Sequence, residues 1–315
     1  MIKPKVILIA GPTGVGKTAS SVYLAKKLDT EIISCDSMQI YKSMDVGTAK
    51  VTSDESLGVR HHMIDIVNPG ENFSVADYVS MATPIIHNLN SVGKIPLLVG
   101  GTGLYADSII KGTPFEKDAV ADTEYRKEML ELAKKQGALY VHKLLENVDP
   151  ESAASIHPNN VKRVVRALEY YHATNEKISD HNEATKSLES PFDSVRFYFT
   201  RDREILYGRI NERVDIMMAD GLLEEVTKLL ESGVGRKSTA MQALGYKEIA
   251  DAIEGKISLE EATELIKRDS RRYAKRQLTW FKRDPEGIWL NLDEFTTYRE
   301  VADRCFEILK ERNMI

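Results

Sequence analysis

The sequence predicts an α/β fold: a parallel sheet flanked by helices, opening on a phosphate-binding loop and carrying an all-helical insertion. Three observations carry that prediction. Short β-branched runs recur along the 315 residues, mostly separated by segments with helical spacing, which is the pattern of a largely parallel sheet with crossover helices. The first run, Val6 to Ala10, passes directly into Gly11-Pro12-Thr13-Gly14-Val15-Gly16-Lys17-Thr18, a complete G-x-x-x-x-G-K-T loop in its strand, loop and helix context. The stretch from about Glu116 to Ser190 has no convincing strand, and Val195 to Thr200 resumes the strand pattern after it.

After Val6 to Ala10, strands are expected at Glu31 to Ser34, Ile64 to Val67, Ile95 to Val99, Val195 to Thr200 and Gly287 to Leu290. Ser74 is placed to cap a helix whose apolar residues Val75, Tyr78, Val79, Ala82, Ile85, Ile86 and Leu89 fall on one face. Pro84 is expected to kink or split it. Lys94 to Val99 runs into Gly100-Gly101-Thr102-Gly103, a second glycine-rich turn at the strand end where ligands of open α/β sheets collect. In the insertion, Thr123 to Leu145 reads as amphipathic helix broken at Gly137, Asn159 to His172 as a second helix, and Asn175 to Ser190 as loop. The final third is mostly helical, with turns at Gly233-Val234-Gly235 and near Gly255. The division is residues 1–115 with 191–315 as the α/β core and its C-terminal helices, and 116–190 as the insertion.

A chain this long with 42% hydrophobic residues buries a sizeable core. No apolar run approaches the roughly 20 residues that span a bilayer, and no signal-peptide pattern opens the chain, so a cytoplasmic protein with no membrane association is expected. Cys35 and Cys305 are too few for a disulfide framework or zinc cluster. The adjacent His61 and His62 point to opposite faces of a strand and lack partner spacing, which favours a structural role over a metal site. The net charge of −5 hides segregation: Lys267 to Arg283 holds eight cations against Asp269, interleaved with Tyr273, Trp280 and Phe281, and Lys162, Arg163 and Arg166 form a second cluster. Each cluster alone is as readily a solvated helix face; together they favour a nucleic-acid surface. Trp280 and Phe281 are expected in the core.

The loop is suited to a polyphosphate, with converging backbone N–H groups, the Lys17 ammonium and a Thr18 hydroxyl for Mg²⁺ at a helix start. Asp36, at the end of the second strand run, is expected at the same sheet edge, as a base or metal-holding carboxylate rather than only an Asx turn. Loop plus acid serves phosphoryl transfer equally well, so a small-molecule kinase, an isopentenyltransferase acting on AMP or ADP, and an RNA-binding regulator are alternatives.

Beyond the loop, Ser34 to Tyr41, Asp45 to Lys50, His61 to Asp65, Gly100 to Tyr105, His157-Pro158-Asn159, Arg163 to Glu169, Ala240 to Glu248 and Arg276 to Phe281 occur in an order that resembles the bacterial tRNA dimethylallyltransferases. The resemblance implies transfer of a dimethylallyl group from dimethylallyl diphosphate to N6 of the adenosine 3′ of the anticodon in tRNAs reading codons that begin with U. It implies a diphosphate on the loop with Mg²⁺ at Thr18, catalytic roles for Lys17, Thr18, Asp36 and Thr102, and a monomer acting on the anticodon stem-loop. It also implies tRNA contacts at Asp36, Ser37, Met38, Gln39, Thr102, Arg126, Lys162, Arg163, Val164, Val165 and Arg166. Gln242 stands where some relatives carry arginine, and is left out of the site.

Overall fold

Six strands, five of them at the expected runs, order themselves, in a computed structural model that describes residues 3–113, 123–186 and 189–315, into a single parallel sheet among the described residues. The first part of the chain runs β1 (Lys5–Ala10), α1 (Lys17–Lys27), β2 (Ile32–Cys35), α2 (Ser53–Ser56), β3 (His61–His62), α3 (Val75–Ser91), β4 (Leu97–Gly100) and α4 (Gly103–Ile110). Next come α5 (Thr123–Gln136), α6 (Ala138–Val148), α7 (Pro150–Ser155), α8 (Val161–Thr174) and α9 (Ile178–Lys186). The chain then returns through β5 (Asp193–Thr200), α10 (Arg203–Ala219), α11 (Leu222–Glu231), α12 (Tyr246–Ile253), α13 (Leu259–Phe281), β6 (Ile288–Asn291) and α14 (Tyr298–Glu311). Two compact units result, Met1–Ile110 with Pro191–Ile315, and Lys111–Ser190.

The strand order is β3-β2-β4-β1-β5-β6, every pairing parallel. Val6 to Ala10 is a continuous apolar run because helices cover both faces of the sheet. Ile7 and Ile9 pack into one core with residues of α1 and α14, whereas Val6, Leu8 and Ala10 face a second core with α3 and α4. Each of Val6, Ile7, Leu8 and Ile9 is at most 1% exposed, and burying a side chain of that size is worth about 2 kcal/mol. A third apolar cluster joins Ile40, Tyr41 and Met44 to α10, α11, α12 and α13. The helical unit has its own core around Val141, Leu145, Val164 and Leu168.

Three sequence expectations are corrected. Ile64 to Val67 is not a strand; β3 lies earlier, at His61–His62, because Met63 and Asp65 take left-handed φ values of 63° and 56° that break the extended run. Only Val67 bridges, to Tyr41. Asn175 to Ser190 is not all loop, since α9 forms over Ile178–Lys186; buried Asp149 accepts from the Ser179 amide and hydroxyl and so ties its start to α7, a tertiary anchor with no periodic signal. Of the kink or split expected at Pro84, the split does not occur: α3 runs unbroken through it, with Pro84 and Ser80 both on the exposed side. Ser74 does cap α3, in a reciprocal pair with Asp77. Among the described residues no helix is long and apolar enough to cross a membrane.

Candidate active site

Register assembles the site. Ala10, Gly100 and Cys35 lie in one row across β1, β4 and β2, so the segments that follow them, at Gly11, Gly101 and Asp36, leave the sheet at one carboxyl edge. The row admits only glycine at its centre: a Cβ on Gly100 would sit 2.0 Å from the Cys35 carbonyl oxygen. Above this edge opens a cavity of about 440 Å³ in the α/β unit, lined by Thr13, Lys17, Thr18, Asp36, Ser37, Met38 and Gln39, and roofed by residues of α10 and α13.

Gly16 shapes the phosphate-binding loop, with φ 112° and the Tyr298 ring 2.6 Å from where a Cβ would stand. Helix α1 begins at Lys17, so the amides of its first turn have no earlier carbonyl in the helix to bond. Lys17 Nζ donates to the Gly11 and Pro12 carbonyls at 3.0 and 2.9 Å, which leaves one N–H. Burial pulls its pKa from 10.5 down to about 8; Asp36 opposes the fall and Arg213 adds to it. Not every loop residue faces the cavity. Val15 is fully buried in the core, and the Thr13 amide, expected to serve an anion, donates instead to Gln277 Oε1 at 2.9 Å.

Sequence reasoning missed the residues that hold this loop from behind. Arg201 donates to the Val15 carbonyl, Arg209 to that of Gly14, and Arg213 Nη1 to Thr13 Oγ1 at 3.3 Å. Arg213 also lines the cavity, and burial lowers its pKa while Asp36 raises it. Gln277, 5% exposed, donates from Nε2 to the Gly101 carbonyl at 2.8 Å while accepting from Thr13. It thereby ties the two glycine-rich turns together. The four-residue spacing of Arg209 and Arg213 on one helix was the available signal. Gln242, left out of the site, lines the cavity and donates to the Arg236 carbonyl.

Asp36 makes an Asx turn, its Oδ1 accepting from the Met38 amide at 2.9 Å, and it lines the cavity at the sheet edge where it is expected. Gln39 accepts from Ser34 Oγ and donates to the Thr48 and Ala49 carbonyls. Glu225 then grips the adjoining loop, accepting from the Asp45, Val46 and Gly47 amides and the Tyr246 hydroxyl. Thr102 is not among the cavity-lining residues; its hydroxyl accepts from the Ser37 amide at 3.0 Å, and its carbonyl accepts from the Tyr105 and Ala106 amides. Cys35 is buried and its thiol is pushed well up by burial, so it is no nucleophile.

In the helical unit Lys162, Arg163 and Arg166 are exposed, but Val164 and Val165 are 0% and 1% exposed within its core. Helical periodicity on α8 turns the Val164 and Val165 side chains into this core and leaves the three cations on the exposed face. Arg126 and Arg166 both bond Glu169. In the C-terminal cluster Lys267 pairs with Asp215, Arg268 and Arg272 with Asp269, and Arg276 lines the cavity. Phe281 is core, and Trp280 Nε1 donates to Asp107 at 3.1 Å. His62 bonds Glu31 and His61 the Val59 carbonyl, both structural.

The residues fit Mg²⁺ in one particular way. Thr18 and Asp36 offer only oxygen donors to the cavity, and among the described residues no group of three or more His, Cys, Asp or Glu could hold a metal alone. Mg²⁺ typically keeps several waters and shares one or two protein oxygens with substrate phosphates, which suits the Thr18 hydroxyl.

Comparison with known proteins adds to this geometry. The model of the family described as IPP transferase matches residues 39–284, and that described as Isopentenyl transferase matches residues 4–72. The chain is 46% identical over 309 residues to a tRNA dimethylallyltransferase of Lachnoclostridium phytofermentans, covering 98% of each, and 52% identical over 292 residues to one of Bacillus cereus, covering 93% of this chain and 91% of that one. It is similar to the crystal structure of the full-length tRNA isopentenylpyrophosphate transferase of Bacillus halodurans, with TM-score 0.73 at 44% identity over 99% of both chains. It is also similar to a eukaryotic dimethylallyltransferase solved acting on tRNA, with TM-score 0.81 at 29% identity over 98% of this chain and 80% of that one.

Proposed function

The chain belongs to the IPP transferase family, and on that premise we propose that it transfers the dimethylallyl group of dimethylallyl diphosphate to N6 of the adenosine at position 37, 3′ of the tRNA anticodon. The substrate tRNAs are those reading codons that begin with U. One observation carries the reading: a single cavity is lined by Lys17, Thr18 and Arg213, a set suited to an anion, and by the Asp36 carboxylate, of which Oδ1 makes the Asx turn.

The chemistry needs both. Cleavage of the allylic C–O bond leaves negative charge on the departing diphosphate, and the first-turn amides of α1, Lys17 and Arg213 bind that charge as it grows. The adenine N6 lone pair is delocalised into the ring, so the amine is a poor nucleophile. As N6 bonds the allyl carbon, Asp36 Oδ2 accepts its proton. Thr18 would hold Mg²⁺, which when bound neutralises part of the diphosphate charge. Gln277 and the Thr102 to Ser37 bond keep the two halves in register. In the helical unit, Lys162, Arg163 and Arg166 contact tRNA phosphates.

The test is incubation with labelled dimethylallyl diphosphate and unmodified tRNA, AMP or ADP. Label on tRNA supports the reading; label on a mononucleotide alone, or rapid ATP turnover without transfer, refutes it.

A further inference from the structure

Glu169 is 1% exposed on α8, yet it makes no apolar contribution to the helical core and only one of its two oxygens is bonded. That oxygen, Oε2, accepts from Arg126 Nε at 3.2 Å and Nη2 at 2.7 Å, and from Arg166 Nη1 at 3.0 Å. Oε1 has no partner among the described residues. Both arginine side chains remain more than two-fifths exposed. Stability alone is a poor reason for such an arrangement, because a buried ion pair is often matched or bettered by apolar packing. Geometry is the better reason. A guanidinium has five N–H donors; Arg126 commits two groups and Arg166 one, so each keeps donors facing solvent while its orientation is fixed from below.

We infer that Glu169 is a positioning residue that locks Arg126 and Arg166 into one rigid pair, pre-aimed at a phosphate of the RNA backbone. Without it the two like charges repel and spread over many rotamers, which binding must then order. The inference rests on the tRNA reading given above. It makes a prediction opposite in sign to simple electrostatics: removing a negative charge from a polyanion-binding surface ought to strengthen binding.

The experiment is tRNA binding by the full chain and its variants across a salt series. Glu169→Gln is expected to bind tRNA roughly tenfold more weakly, the scale of ordering two long side chains, while dimethylallyl diphosphate binding is retained. In an Arg126→Ala/Arg166→Ala background, Glu169→Gln should have no further effect. Equal or tighter tRNA binding by Glu169→Gln overturns the inference. Should that variant fail to fold, Arg126→Lys/Arg166→Lys decides, because lysine keeps the charge without the planar fork. Weakened binding at an unchanged salt slope supports a fixed pair; unchanged affinity overturns it. Wild-type protein that modifies tRNA while these variants match it refutes this inference alone. Wild type that neither binds nor modifies tRNA refutes the function as well.

Discussion

Raising the pH should weaken diphosphate binding through one residue, Lys17. Its ammonium is pulled from 10.5 to about 8, chiefly by burial, in the free protein. A bound diphosphate supplies the opposite charge and raises that pKa again, so the protonated form is the one that binds. The sign follows: affinity is full below about pH 8 and falls as pH rises through it. At pH 9 about one Lys17 in ten is charged, which corresponds to roughly tenfold weaker apparent affinity than at pH 7. Calorimetric titration with dimethylallyl diphosphate in two buffers of different ionisation heat measures both quantities. Proton uptake should rise from near zero at pH 7 towards one proton at pH 9, and Lys17→Arg, charged throughout, should abolish the pH dependence. Flat affinity and no proton uptake up to pH 9 would refute the claim that a desolvated Lys17 engages the anion. The same depressed pKa means the unfolded chain binds more protons between about pH 8 and 10.5, so the Lys17 contribution to stability rises with pH across that window.

Asp36→Asn should lower turnover by about 10²- to 10⁴-fold in single-turnover transfer with diphosphate affinity nearly intact; near wild-type turnover removes Asp36 as the base. Neutralising Lys162 and Arg163 should weaken tRNA binding and reduce its salt slope by about 0.7 to 0.9 per lost contact, leaving dimethylallyl diphosphate binding alone; an unchanged slope returns them to a solvated helix face. Gly100→Ala should cost about 3 kcal/mol or more in urea denaturation, since its Cβ would lie 2.0 Å from the Cys35 carbonyl oxygen; wild-type stability would contradict the described register.

What was legible in the sequence is what is local. The β1 run, the loop behind it and Asp36 at the end of β2 each announce themselves within about ten residues, and a parallel sheet then brings them to one edge. The cavity roof was hardly legible, because Arg213 and Gln277 sit on α10 and α13, about 200 residues or more from the loop atoms they bond, among many other polar residues of those helices, and only the Arg209 and Arg213 spacing hinted at it. The grip of Glu225 on Asp45 to Gly47 spans about 180 residues and is hidden for the same reason. Val164 and Val165 were placed in the contact segment by resemblance to a motif, whereas helical periodicity alone separates them from Lys162, Arg163 and Arg166. Apolar content misled at Ile64 to Val67, where two left-handed residues, invisible in a hydrophobic pattern, end the strand early.

The central claim is that one cavity joins diphosphate departure to proton loss from adenine N6. Its most direct test is to digest tRNA after a single turnover with labelled dimethylallyl diphosphate, and to map the modified nucleoside by mass spectrometry while counting released diphosphate. The account predicts one dimethylallyl group on N6 of the adenosine 3′ of the anticodon for each diphosphate released, and loss of both products together in Asp36→Asn. Label on another atom, or diphosphate release that continues undiminished in Asp36→Asn without transfer, would contradict it.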